Sequence, residues 1–250
     1  MLRSSWLVLF LTAFVALAAV SAASMSRSMK SGRIHIIYQD HFTGSSKPGT
    51  LNGARPTVNN GPGKKWTAGR NWSASGFINA NGADGRDTAF LRFTPKRGEI
   101  YTLSVTMSLV KGANRAAYIA VGFLKNVHAS NVYTGWDTRY FSASTPVALP
   151  WALARLNGNV TTFEGPGIGG TIGGYQIPHS NGKTLTKNVL SIQLNTSKPK
   201  WTYQVFDNGV AVMQPSTLLV HRPVITAAGM QGASIVGTVS NFSLTAQTAH

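Results

Sequence analysis

Polar and apolar residues alternate with a period of two along much of the chain beyond Ile34. The clearest stretch is Tyr101 to Leu109, where Tyr101, Leu103, Val105, Met107 and Leu109 are separated by Thr102, Ser104, Thr106 and Ser108. Successive side chains of a strand point to opposite faces, so this pattern predicts a strand with one face buried and one wet. Leu190, Ile192 and Leu194 repeat it, as do Trp201, Tyr203 and Val205. Asp207-Asn208-Gly209 then interrupts, and Val210 to Met213 resumes. Asn-Gly between two such runs predicts a tight hairpin, because both loop residues of the favoured turn need positive φ. Tyr118 to Leu124 is apolar at both parities, as a central strand covered on both faces should be. Ala89 to Phe93 and Ser240 to Ala246 are further strands. No segment keeps a helical period, and no fixed-length repeat suggests a propeller or solenoid. Many short strands between Gly and Pro turns predict an all-β, two-sheet antiparallel jelly-roll sandwich in a single domain, residues 34–248, of about 12–14 strands.

The first 33 residues break this pattern. Arg3 precedes an apolar run from Trp6 to Val20, interrupted only by Thr12, and Ser21-Ala22-Ala23 follows. A charged start, a short apolar centre and small residues make residues 1–23 a signal peptide. A membrane span needs about 20 apolar residues, more than this run has. Residues 24–33, polar and basic without period, read as a disordered leader. No second run is long enough to span, so the mature chain is expected outside the cytoplasm with no transmembrane segment.

Composition narrows the chemistry. With 43% hydrophobic and 10% aromatic residues, the chain can build a core. It has no Cys, which removes disulfide staples and thiolate metal sites. An exported protein without Cys points to a bacterial source. Lys and Arg number 23 against 7 acidic residues, a formal charge of +16. The basic residues are dispersed, for example at Lys64, Lys65 and Arg70, at Arg92, Lys96 and Arg97, and at Lys198 and Lys200. Such a surface attracts polyanions in a salt-dependent way. Outside the cytoplasm these are acidic polysaccharides or wall polymers; no nucleic-acid recognition motif appears.

Several motif-like strings carry little. Gly165, Gly167 and Gly170 satisfy G-x-G-x-x-G, but no βαβ unit surrounds them. The six His residues lack metal-ligand spacing. Asn81, Asp84 and Asp87 could offer oxygens to calcium, but Arg86 opposes a cation and an Asx-rich turn is the better reading. No cofactor is expected.

An ordered set of segments carries a family resemblance. It runs through Asp40-His41-Phe42-Thr43-Gly44-Ser45, Leu51-Asn52-Gly53-Ala54-Arg55-Pro56, Trp66-Thr67-Ala68 and Phe93-Thr94-Pro95. It continues with Gly98 to Ser104, Val121-Gly122-Phe123, Thr162 to Gly167, Trp201-Thr202-Tyr203 and Val239 to Leu244. Together these resemble bacterial secreted proteins of the laminin-G-like, concanavalin A-like lectin/glucanase superfamily. The resemblance implies a sandwich whose last strand pairs near the first. It does not imply one activity, because lectins, adhesion modules, hydrolases and lyases share the fold.

Three function classes follow. Glycoside hydrolysis needs two facing carboxyl groups. The superfamily's Glu-x-Asp-x-x-Glu strand motif is absent, and Glu99, at the start of a strand, reads as a solvated turn residue. Lyase action on a polyuronate needs a cation or amide to neutralise the sugar carboxylate, and a Tyr or His base. Arg139, Tyr140, Gln176 and His179 have the right types, but of the motifs of alginate lyases with similar fold only Gln176-Ile177-Pro178-His179 has an imperfect echo. Non-catalytic binding needs aromatic rings and a few polar groups. Trp136, Arg139 and Tyr140 lie in a polar, turn-like stretch, Trp151 and Arg155 share strand parity, and Tyr175 ends a Gly-rich loop. These six are the carbohydrate-binding candidates, while Trp201, Phe90, Phe93 and Phe123 look like core, with Trp66 and Trp72 as further core candidates. The leading expectation is an exported, lectin-like carbohydrate-binding module with a polysaccharide or glycoconjugate partner, acidic ones included. The alternatives are a polyuronate lyase and a structural or adhesive protein.

Overall fold

Inward-facing apolar positions build two stacked sheets. The computed structural model describes residues 33–80, 86–112, 117–124, 148–163, 175–178, 184–218 and 222–249. Among these, fifteen strands and no helix occur. In chain order they are β1 (Ile34–Asp40), β2 (Val58–Asn59), β3 (Thr67–Ala68), β4 (Phe77–Asn79), β5 (Arg86–Arg92), β6 (Glu99–Gly112), β7 (Tyr118–Leu124), β8 (Ala148–Arg155), β9 (Val160–Phe163), β10 (Leu185–Asn195), β11 (Thr202–Asp207), β12 (Val210–Ala211), β13 (Ser216–Thr217), β14 (Ala227–Ala233) and β15 (Ile235–Thr248). The count exceeds the sequence expectation because β2, β3 and β13 are two-residue pieces at sheet margins. Such fragments leave no alternation to read.

A nine-stranded sheet runs β12-β11-β10-β6-β15-β1-β2, with β13 also on β11 and β4 also on β15. The other sheet has six strands, β3-β5-β14-β7-β8-β9. The pairings are antiparallel, and the fold is a jelly-roll sandwich. As the family resemblance implied, the last strand pairs with the first: Tyr38 lies opposite Leu244 and Asp40 opposite Phe242. Packing gathers Ile34–Ala249 into one compact unit.

The alternation read from Tyr101 to Leu109 is the inner face of β6, and its apolar members are fully buried. β15 needs a correction to keep its own pattern. A register shift between Val239 and Asn241 leaves Ser240 and Asn241 unburied in succession, after which Phe242 and Leu244 return to the core. That is the work of a β-bulge. The Asn208-Gly209 hairpin forms between β11 and β12, with φ of 47° and 81°.

Trp66, Trp72, Trp201, Phe93 and Phe123 all belong to the core between the sheets. Each large apolar side chain buried this way stabilises by roughly 1.5–3 kcal/mol. Trp66 packs edge-on against Phe242 at 4.9 Å and its indole N–H donates to Asp40 Oδ2 at 2.6 Å. The same carboxylate accepts the Phe42 N–H at 2.9 Å and the Thr57 hydroxyl at 3.3 Å. A buried charge is thus held by three donors at the corner where the chain leaves β1.

Candidate functional site

The six-stranded sheet is covered on both faces, as the sequence of Tyr118 to Leu124 predicts. On β14 all seven residues are buried. One face meets the nine-stranded sheet. The outer face carries a second apolar cluster of Phe90, Ala120, Leu124, Trp151, Leu153 and Ala227.

Register explains how that face is laid out. Phe90 on β5, Gly229 on β14, Gly122 on β7 and Trp151 on β8 lie in one row across four strands. The two glycines leave room that their large neighbours take. A Cβ on Gly122 would lie 2.4 Å from Trp151 Cβ, and one on Gly229 would lie 2.8 Å from Phe90 Cβ. The next row holds Thr88, Gln231, Ala120 and Leu153, and the one after it brings Tyr118 beside Arg155.

A polar chain crosses these rows. The Gln231 amide donates to Thr88 Oγ1 at 3.1 Å, and the Tyr118 hydroxyl donates to Gln231 Oε1 at 3.1 Å. The Arg155 guanidinium lies over the Tyr118 ring, 6.0 Å from its centroid. Thr88 and Gln231 are buried, whereas Tyr118 and Arg155 are half-buried, so the chain runs from the interior to a partly open end. Aromatic rings beside a few fixed polar groups can grip a polyhydroxylated ligand.

The sequence candidates are distributed unevenly over this arrangement. Trp151 and Arg155 share the outer face, as their parity predicts. Trp151 is only 3% exposed, so its ring packs within the cluster rather than standing free as a platform. Tyr175 is elsewhere: its hydroxyl donates to Asp207 Oδ2 at 3.0 Å, and its ring packs partly against the core between the sheets. That bond and burial push the Tyr175 phenol pKa up, burial contributing most. Trp136, Arg139 and Tyr140 lie outside the described residues, as do residues 1–23 and nearly all of the leader. Of the lyase candidates, His179 also lies outside them, and the Gln176 amide donates to Asn157 O at 2.7 Å. Phe90, expected in the core, is buried on the outer face instead.

Sequence reasoning missed Gln231, Tyr118 and Thr88. The available signal was a lone Gln inside the small, apolar run Ala227-Ala228-Gly229-Met230-Gln231-Gly232-Ala233. A buried amide there must find partners.

The acidic residues have other roles. Asp207 accepts from Asn188 Nδ2 at 2.7 Å as well as from Tyr175. Asp87, expected in an Asx-rich turn, is instead a buried member of β5. Its Oδ2 accepts the Asn71 N–H at 2.7 Å and its carbonyl accepts the Trp72 indole N–H at 3.1 Å. Burial pushes the Asp87 carboxyl up to about 6, against the opposing pull of the Asn71 N–H and the Arg70 charge. Asp84, its partner in the calcium expectation, lies outside the described residues. No group of three His, Cys, Asp or Glu that could hold a metal occurs among the described residues. Glu99 stands at the start of a strand, as expected, but is not fully solvated. It opens β6 half-buried, in a cleft of about 250 Å³ that His35, Lys96 and Tyr101 also line. Burial, reinforced by Glu99, raises the Tyr101 phenol well above its ordinary range.

No family model and no curated protein matches the sequence. Solved structures do resemble it. The carbohydrate recognition domain of Emp47p is 12% identical, covering 90% of this chain and 100% of that one, with a TM-score of 0.50. The endo-1,3-beta-glucanase from Streptomyces sioyaensis is 11% identical over 86% of this chain and 97% of its own, with a TM-score of 0.48. The carbohydrate binding module CBM66 from Bacillus subtilis is 13% identical over 76% and 99%, with a TM-score of 0.40. These neighbours are domains of the concanavalin A-like lectin/glucanase type. At such identity the Emp47p likeness shows the fold alone, the jelly roll expected from the sequence. No helix among the described residues is long and apolar enough to cross a membrane.

Proposed function

We propose that this chain is an exported carbohydrate-binding module of lectin type that holds its glycan without catalysis. The observation that carries the reading is the polar chain Thr88–Gln231–Tyr118–Arg155, set beside Trp151 and Phe90 on the outer face of the six-stranded sheet. Sugars offer apolar ring faces and directional hydroxyls, and the half-buried Tyr118 and Arg155 are the members of this group that can meet them, with Trp151 and Phe90 packed behind. The Emp47p neighbour, a carbohydrate recognition domain, lends the class support through its fold. Trp136, Arg139 and Tyr140, which lie outside the described residues, stay in the proposal on their residue types alone. The charged start, the apolar run from Trp6 to Val20 and the small residues after it support export.

The four acidic residues among the described positions favour binding over hydrolysis. Asp40, Asp87 and Asp207 each serve as buried acceptors for the protein's own donors. That leaves Glu99, without a facing carboxylate partner in its cleft.

The test is retardation of the purified protein in gels containing neutral or acidic polysaccharides, at low and high salt. Retardation by one polymer that survives salt, and that Tyr118→Phe, Arg155→Ala and Trp136→Ala each weaken, is the expected result. Retardation by every polyanion that vanishes in salt would assign the effect to the +16 charge alone. An unsaturated uronate product, absorbing in the ultraviolet, would replace binding by the lyase reading.

A further inference from the structure

A second cavity lies away from the outer face, at the edge of the nine-stranded sheet. It has a volume of about 520 Å³ and is lined by Arg55, Pro56, Thr57, Asn59 and Lys64. Ligand pockets commonly span about 300–1,000 Å³, so it is large enough for a sugar residue.

The frame around it is fixed by hydrogen bonds that leave its two cations unused. Asn59 Nδ2 donates to Gly63 O at 2.9 Å and to Lys64 O at 3.1 Å, closing the loop that follows β2. Gly63 N–H donates to the Tyr38 hydroxyl, which donates in turn to Arg92 O at 2.6 Å, so the loop is tied to both sheets. Gly53 N–H donates to Trp66 O at 2.9 Å and Trp66 N–H to Ala54 O at 2.8 Å. These bonds hold the segments bearing Arg55 and Lys64 side by side. Both side chains are exposed, and neither makes a hydrogen bond or ion pair with any described residue. The nearby carboxylate, Asp40, reaches the cavity only through Thr57 and is already met by three donors.

Two cations held in one concavity repel each other and gain by sharing an anion. A guanidinium grips a carboxylate or sulfate through paired N–H groups, and an ammonium adds a point charge. We infer that this cavity is an anionic-sugar subsite, in which Arg55 and Lys64 take the carboxylate of a uronic acid residue or the sulfate of a sulfated one. The inference rests on the glycan-binding reading and names the class of glycan: an acidic polysaccharide long enough to present a charged residue at this edge.

Two measurements separate the outcomes. In the first, a free methyl uronide, and separately a sulfated monosaccharide, is titrated into the protein while NMR follows the side-chain N–H signals of Arg55. Saturable shifts with one sugar and not the other identify the anion, and no shift with either overturns the subsite. In the second, calorimetry compares an acidic oligosaccharide with a neutral one on wild type, Arg55→Gln, Lys64→Gln and the double variant. Removing one charge-assisted hydrogen bond from the site should weaken acidic-ligand binding about tenfold per cation, with neutral-ligand binding unchanged. The control is the double variant Lys198→Gln and Lys200→Gln, which removes equal charge from exposed positions elsewhere. Equal weakening by the control overturns the subsite in favour of a general field. Binding of neutral glycan only leaves the glycan reading standing and this subsite refuted. Uronide shifts at Arg55 with no oligosaccharide binding would refute the glycan reading while supporting the anion site.

Discussion

Asp87 makes stability depend on pH in the direction opposite to most carboxylates. Its side chain is buried in β5, and its pKa rises from an ordinary 3.8 to about 6 in the fold. The folded protein therefore holds this proton more tightly than the unfolded chain does. Between about pH 4 and pH 6 unfolding releases a proton, so stability falls as pH rises through that window and levels off above it. A rise from 3.8 to about 6, at about 1.36 kcal/mol per unit, sets a ceiling near ~3 kcal/mol. Partial solvent screening of the carboxyl reduces the expected effect to about 1–2 kcal/mol. The perturbation is Asp87→Asn, which keeps an oxygen for the Asn71 N–H and cannot titrate. Urea unfolding of both proteins at several pH values from 4.5 to 7.5, values chosen to bracket about pH 6, isolates the one group, because the other titrations cancel in the difference. The stability of the variant relative to wild type should climb by about 1–2 kcal/mol from the acidic end of that range to the neutral end. A difference that stays flat with pH, or that falls, would refute the reasoning.

Other substitutions test separate parts of the fold. Gly76 has φ of 73°, and a Cβ there would lie 1.9 Å from Val239 O, so Gly76→Ala should cost more than about 3 kcal/mol in thermal or urea unfolding. Gly53 has φ of 81° with nothing within 4 Å of its Cβ position, so Gly53→Ala should cost only about 1 kcal/mol by the same assay. Trp66→Phe keeps most of the buried ring but takes a donor from Asp40; the expected loss is about 1–3 kcal/mol, and Asp40→Asn should shrink the difference between Trp and Phe. Gln231→Leu removes the partner of both Thr88 and Tyr118, and should weaken glycan retention while leaving far-UV circular dichroism unchanged.

Period-two patterns were readable where a strand has one wet face. Tyr101 to Leu109 and Leu190 to Leu194 alternate because water on one side forces it, and the structure places both as read. The Asn208-Gly209 turn was readable because few residues tolerate its backbone. The site was less readable. Parity puts Trp151 and Arg155 on one face but cannot say whether that face is covered, so a buried ring passed for an exposed one. Gln231 sits in a strand buried on both sides, where alternation vanishes and with it the marker of which residues share a face. Tyr175 was grouped with the aromatics by loop composition, whereas a bond to Asp207, distant in sequence, decides where it points. The burial of Asp87 and the partial burial of Glu99 were missed for a related reason: burial of an acid depends on tertiary neighbours that local sequence does not contain.

The pairing of β1 with β15 also orders events in time. Ile34 to Asp40 finds its main partner between Phe242 and Gln247, at the far end of the chain. β6, near the middle, takes one neighbour from β10 and the other from β15. A nascent chain emerging from its N-terminus therefore carries β1 and β6 with open edges until almost everything has been made. Such distant pairings slow folding, and open edges invite wrong partners meanwhile. Closure of the sandwich is thus tied to synthesis of β15.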